Sequence, residues 1–139
     1  MPHDFTAMDS DGKIGDPAVG GIVRQMGNNI PDGWTGLDIG PGSAAVFGDI
    51  IQESKTVLWN GPMGVFEDAR FSAGTKHVAQ SMAENKASFT VIGGGDSAAA
   101  AKEFKFDTEI NHVSTGGGAS LELIEKGALP GLDALLLNH

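Results

Sequence analysis

The stretch Thr90–Ala101, TVIGGGDSAAAA, decides how the chain is read. Three β-branched residues run into Gly93, Gly94 and Gly95, then Asp96 and Ser97, then a row of alanines. That order predicts a buried strand, a turn too tight for any Cβ, and a helix. The glycines let the backbone approach a ligand closely. Asp96 and Ser97 stand where a helix takes its cap and where its free N–H groups collect anions. The same design recurs in His112–Glu122 (HVSTGGGASLE), with a variant upstream in Val57–Glu67 (VLWNGPMGVFE). Three strand–glycine–helix units would set three open helix N-termini along one rim of a sheet, and a phosphate is expected there.

Working outward, residues 1–33 read as an irregular hairpin margin, with turns at Asp9–Gly12 and Asn28–Gly33 and a short strand or helical turn within Gly20–Met26. Residues 34–139 carry the strand–glycine–helix units. Trp34–Ile39 is an apolar strand broken by Gly40-Pro-Gly42, and Ser43 is placed to cap a helix over Ala44–Ser54. Thr56–Trp59 is the next strand, followed by one helix over roughly Ala69–Glu84. Phe89–Ile92 and Asn111–Ser114 supply further strands, and Ala119–Lys126 a last helix before Gly127 and Pro130. Strands alternating with helices predict an α/β fold, a parallel sheet with helices on both faces. Ligands on such sheets bind at the carboxyl ends of the strands.

With 139 residues the chain is one domain's worth. It has no cysteine, which excludes disulfides and thiolate chemistry and suits a reducing, cytoplasmic setting. The printed start has neither a basic n-region nor an apolar h-region, and no apolar run approaches a membrane span. A net charge of −9 repels nucleic acid and anionic lipid, so neither is expected as a partner. Basic side chains near the glycine turns are scarce. A nucleotide phosphate would be held there by backbone N–H groups and a metal ion.

Several motifs read two ways. Gly93-x-Gly95-x-x-Ala98 and Gly40-x-Gly42-x-x-Ala45 both satisfy the dinucleotide fingerprint, but neither has the acidic residue a ribose needs after the following strand. No P-loop is present. Asp96 suits either a helix cap, the commoner use, or Mg²⁺ shared with substrate phosphates. Ser97 suits a cap or a phosphate contact. Glu67 suits a first-turn acid or an acceptor for ribose hydroxyls. Trp34 and Trp59 are read as packing residues, and His3, His77, His112 and His139 lack metal-ligand spacing.

Taken together, these stretches resemble the carboxy-terminal, nucleotide-binding domain of phosphoglycerate kinase. The matching residues are Ile30–Trp34, Leu37–Pro41 with Ser43, Trp59–Glu67 and Gly74-Thr75. They continue through Ile92–Ser97, His112–Glu122 and Leu129–Gly131. The resemblance implies reversible phosphoryl transfer between 1,3-bisphosphoglycerate and ADP, giving 3-phosphoglycerate and Mg·ATP, in glycolysis. It implies that Asp96 ligands the nucleotide-bound Mg²⁺ and that Gly94, Gly95 and Ser97 meet the nucleotide phosphates. Glu67 and Asn60 would sit at the ribose, Pro62 and Val65 along the nucleoside, and Gly36 and Leu37 at the adenine. Gly95, Gly117 and Gly118 would face the transferring phosphoryl group.

Family members are longer, so the resemblance also implies a partial, Rossmann-like nucleotide-binding domain over residues 1–139. Its early strands, the lysine of its glycine–lysine turn and the amino-terminal domain that holds phosphoglycerate lie outside the sequence. The expectations are no turnover by this segment alone and self-association through an exposed sheet edge. The alternative is a non-catalytic module that binds adenine nucleotide or pairs with a partner chain.

Overall fold

The fold is described from a computed structural model, over residues 1–115. Two three-stranded sheets divide it. Strands β1 (Asp4–Asp9), β2 (Val23–Gly27) and β3 (Trp34–Ile39) form an antiparallel sheet in the order β2-β1-β3. Strands β4 (Thr56–Asn60), β5 (Phe89–Gly93) and β6 (His112–Ser114) form a parallel sheet in the order β4-β5-β6. The α-helices among the described residues are α1 (Pro41–Glu53), α2 (Ala73–Glu84) and α3 (Gly95–Glu103).

The expected parallel α/β sheet is therefore present, with one correction. β3 does not join it; it pairs with β1, Phe5 opposite Ile39 and Asp9 opposite Trp34. The Gly40 N–H continues that pairing onto the Asp4 carbonyl at 2.8 Å. In the parallel sheet Leu58 lies opposite Val91 and Val91 opposite His112, so the carboxyl ends of β4 and β5 finish side by side at Asn60 and Gly93.

One apolar cluster lies between the parallel sheet and the helices, around Trp59, Val78, Met82, Ile92 and Ala100. A smaller one joins Met8, Leu37 and Phe71, with Val65 packed against it. Trp59 is core, as read from the sequence, and Trp34 packs under the Arg24 guanidinium.

Three helix starts differ from the sequence reading. α1 begins at Pro41 with Gly40 as its N-cap, and Ser43 lies inside the first turn rather than capping it. Proline at the first position has no N–H to satisfy and φ already set for a helix. The single helix expected over 69–84 is two pieces, a 3₁₀ turn at Ala69–Phe71 and then α2. Asp68 accepts the Arg70 N–H at 3.0 Å and starts the first piece. The Val57–Glu67 unit has no helix directly after its strand; an irregular segment runs from Gly61 to Asp68.

Candidate nucleotide-binding site

Each α-helix leaves its first N–H groups without intrahelical partners. In α1 they are closed by a strand: the Asp4 carboxylate accepts from Gly42 at 2.8 Å and Ser43 at 2.6 Å. In α2 the Asp38 carboxylate at the end of β3 accepts from Gly74 at 2.8 Å, and also from its neighbour Ile39. α3 has no such closure. Its N-cap is Gly94, no side-chain cap bond forms, and no described side chain accepts from Gly95 or Asp96. Of the three N-termini expected to be open, one is open among the described residues. The last, after Gly116–Gly118, lies outside them, as do Gly117 and Gly118.

Gly94 has φ +96°, and a Cβ there would fall 2.9 Å from Asn60 Oδ1. Both facts call for glycine. Asp96 occupies the second position of α3, is exposed, and makes no hydrogen bond or ion pair among the described residues. The capping reading of Asp96 is thereby corrected: the turn is entered through Gly94, and the carboxylate stands free beside the open N–H groups. Ser97 does not cap either. It is fully buried, and its hydroxyl accepts the Gly61 N–H at 2.6 Å.

A cavity of about 330 Å³ is lined by Phe5, Gly36, Leu37, Met63, Gly64 and Val65 among others. The structure thus brings Gly36, Leu37 and Val65 to one wall-to-wall space. The Val65 N–H donates to the Leu37 carbonyl at 2.9 Å. Pro62 is half-buried, and Asn60 and Glu67 are exposed at either end of the same connecting segment. The segment thus runs from the end of β4, beside the α3 rim, to the cavity.

The solved structures of phosphoglycerate kinase from Coxiella burnetii and Pyrococcus horikoshii superpose with TM-scores of 0.81 and 0.74. Identity is 31% and 32%, over 96% and 98% of this chain and 33% and 32% of those chains. The family model described as phosphoglycerate kinase matches residues 1–127. The chain belongs to the phosphoglycerate kinase family. Curated relatives of that name include one from Trichodesmium erythraeum, 57% identical over 76% of this chain, and one from Clostridium kluyveri, 47% identical over 97%. This chain spans 27% and 32% of those two relatives, respectively.

Four residues near the site had no role assigned from the sequence, although Asp38 and Thr75 lie in stretches that carry the resemblance. Asp4 and Asp38 close helices, Thr75 holds the connecting segment, and Asn85 donates to the carbonyls of Ile51 and Ser54 at the end of α1. Asp38 carried one signal: an acid at the buried end of an apolar strand needs donors. Burial pushes its carboxyl above the ordinary value, and it packs where a Cβ on Gly64 or Gly74 would collide with it.

Proposed function

We propose that this chain provides the nucleotide-binding part of a phosphoglycerate kinase-type phosphotransferase. The reaction is reversible phosphoryl transfer between 1,3-bisphosphoglycerate and ADP, giving 3-phosphoglycerate and ATP, in cytoplasmic glycolysis. One observation carries the reading: α3 alone of the described α-helices keeps its first N–H groups open, beside an unpartnered carboxylate. Phosphoryl transfer asks for positioning and charge neutralisation, and N–H donors at a helix N-terminus supply part of both.

The donor set fits Mg²⁺. That ion is commonly held by one or two carboxylates with substrate phosphates and water as the other ligands. Asp96 is exposed and free to serve, and no group of three or more His, Asp or Glu among the described residues forms a cage. When bound, the ion would neutralise charge on the nucleotide phosphates. Gly94, Gly95 and Ser97 at the start of α3 receive the phosphates, with Ser97 also accepting the Gly61 N–H. Asn60 and Glu67 receive the ribose, Pro62 and Val65 flank the nucleoside, and Gly36 and Leu37 receive the adenine. Gly95, Gly117 and Gly118 face the transferred group. Among the described residues no helix is long and apolar enough to cross a membrane.

The chain alone is expected to bind ADP without turning over. Calorimetric titration with ADP, with and without Mg²⁺, beside Asp96→Ala, tests the reading. Magnesium-dependent binding that the variant loses supports it; equal binding by both proteins sinks the role of Asp96. Turnover of Mg·ATP with 3-phosphoglycerate near that of a full-length enzyme would end the proposal of inactivity.

A partner-pairing fragment is the second reading, and β4 favours it. This strand pairs only with β5 among the described strands, and Ile50, beside its face, is 57% exposed. Size-exclusion chromatography separates the two. A dimer supports pairing through the edge, and a monomer at all concentrations removes it.

A further inference from the structure

Ser43, Thr75 and Ser97 share a position that their sequences do not advertise. Each is the third residue of its helix, each is fully buried, and each hydroxyl accepts backbone N–H groups from outside that helix. Ser43 takes those of His3 and Asp4 at 2.9 and 3.1 Å. Thr75 takes those of Met63 and Gly64 at 3.0 and 3.3 Å, and Ser97 takes that of Gly61 at 2.6 Å. Two of the three therefore grip one segment, Gly61–Gly64. The Trp59 indole N–H holds the Gly61 carbonyl from the other side at 2.6 Å.

We propose that Thr75 is a positioning residue for the nucleoside end of the site. The proposal rests on reading the Leu37–Val65 cavity as the base pocket. Thr75 does not line that cavity; Met63 and Gly64, which it holds, do. A hydroxyl oxygen has two lone pairs, and here both receive N–H groups. With the oxygen gone, two partly buried donors lose their acceptor. The segment is then released from α2, and Val65, the next residue, carries the opposite cavity wall with it. The phosphate rim at Gly95 and Asp96 is the first turn of α3, to which the Thr75 hydroxyl makes no bond, so it stays. Thr75 thus sets base binding separately from phosphate binding.

The test uses Thr75→Val, which keeps the shape and removes the hydroxyl, and Thr75→Ser, which keeps the hydroxyl. Amide hydrogen exchange by NMR is the first readout. In Thr75→Val the Met63, Gly64 and Val65 amides should exchange about tenfold faster, the scale set by a lost buried acceptor. Amides of β1 should keep their wild-type rates, and Thr75→Ser should behave as wild type. The second readout is titration with adenosine and, separately, with Mg²⁺ tripolyphosphate. Thr75→Val should weaken adenosine about tenfold, by the same cost, and leave tripolyphosphate unchanged. Unchanged exchange, or a rise spread evenly over the chain, would overturn the positioning role. Local release with unchanged adenosine affinity would overturn its link to the base. A wild-type chain that binds no adenosine would remove the base-pocket reading and the nucleoside half of the proposal, while exchange would still decide whether Thr75 holds the segment.

Discussion

The Asp4 carboxylate accepts the N–H of Ser43 at 2.6 Å, so the first turn of α1 is capped by a strand 39 positions earlier in the chain. The Ser43 hydroxyl returns the contact, both to that carboxylate and to the Asp4 and His3 N–H groups. Losing a helix cap costs roughly 1–2 kcal/mol, so Asp4→Ala should lower unfolding stability by about that amount at neutral pH. Urea denaturation of the two proteins measures it. An unchanged midpoint would mean that water replaces the cap without loss.

Asp4 and Asp38 should respond to pH with opposite signs. The Ser43 hydroxyl bond holds the Asp4 carboxyl below its ordinary value. Its contribution is therefore complete above the unfolded value near 3.9 and is lost as pH falls through the folded value. Burial holds Asp38 above its ordinary value. Folding then favours its protonated form, and stability falls as pH rises from the unfolded value to the folded one. The stability difference between wild type and Asp4→Asn should grow with pH in its window. That between wild type and Asp38→Asn should shrink in its own. Parallel curves would refute the contrast.

Gly94→Ala should destabilise the chain by about 1–3 kcal/mol through backbone strain alone, since Gly94 has φ +96° and ψ 146°. The Asn60 side chain adds a steric part. Combining it with Asn60→Ala should recover only that part, because the backbone strain remains. Thermal or urea midpoints of the two single variants and the double give the answer; full recovery would place the whole cost in the contact.

The Asp68–Arg70 pair ties down the connection between β1 and β2. Asp68 accepts from Arg70 and from the Gly15 N–H at 2.8 Å, and the Arg70 guanidinium donates to the Lys13 carbonyl at 2.8 Å. The Arg70 hydrogen bond holds the Asp68 carboxyl well below the usual carboxylate range. Asp68→Ala should speed proteolytic cleavage near Lys13 several-fold while the parallel sheet keeps its exchange protection. Cleavage at the wild-type rate would show that the loop is held by other contacts.

The glycine turn after β5 was legible because every signal in Thr90–Ala101 is local. β-branched residues favour a strand, three glycines admit the positive φ of Gly94, and alanines favour α3. Several of the motifs that carried the family resemblance, Trp59–Glu67, Ile92–Ser97 and His112–Glu122, lie in such local units. Less legible was the partner of β3. Its apolar run suits either a parallel or an antiparallel neighbour, and β1 was available to pair antiparallel with it. Thr75 stood in a matching stretch but had no role assigned, since a threonine near a helix start ordinarily reads as helix entry or solvent-facing polarity.

By itself, the sequence determined the strand–glycine–helix unit at Thr90–Ala101, because backbone preference is a property of neighbouring residues. Only the tertiary structure decided which helix N-termini remain open. Asp4 stands 38 positions from Gly42, and Asp38 stands 36 from Gly74. A hydrogen bond depends on separation in space, and no spacing along the chain foretells that two strands would each lend a carboxylate to a helix and leave α3 without one.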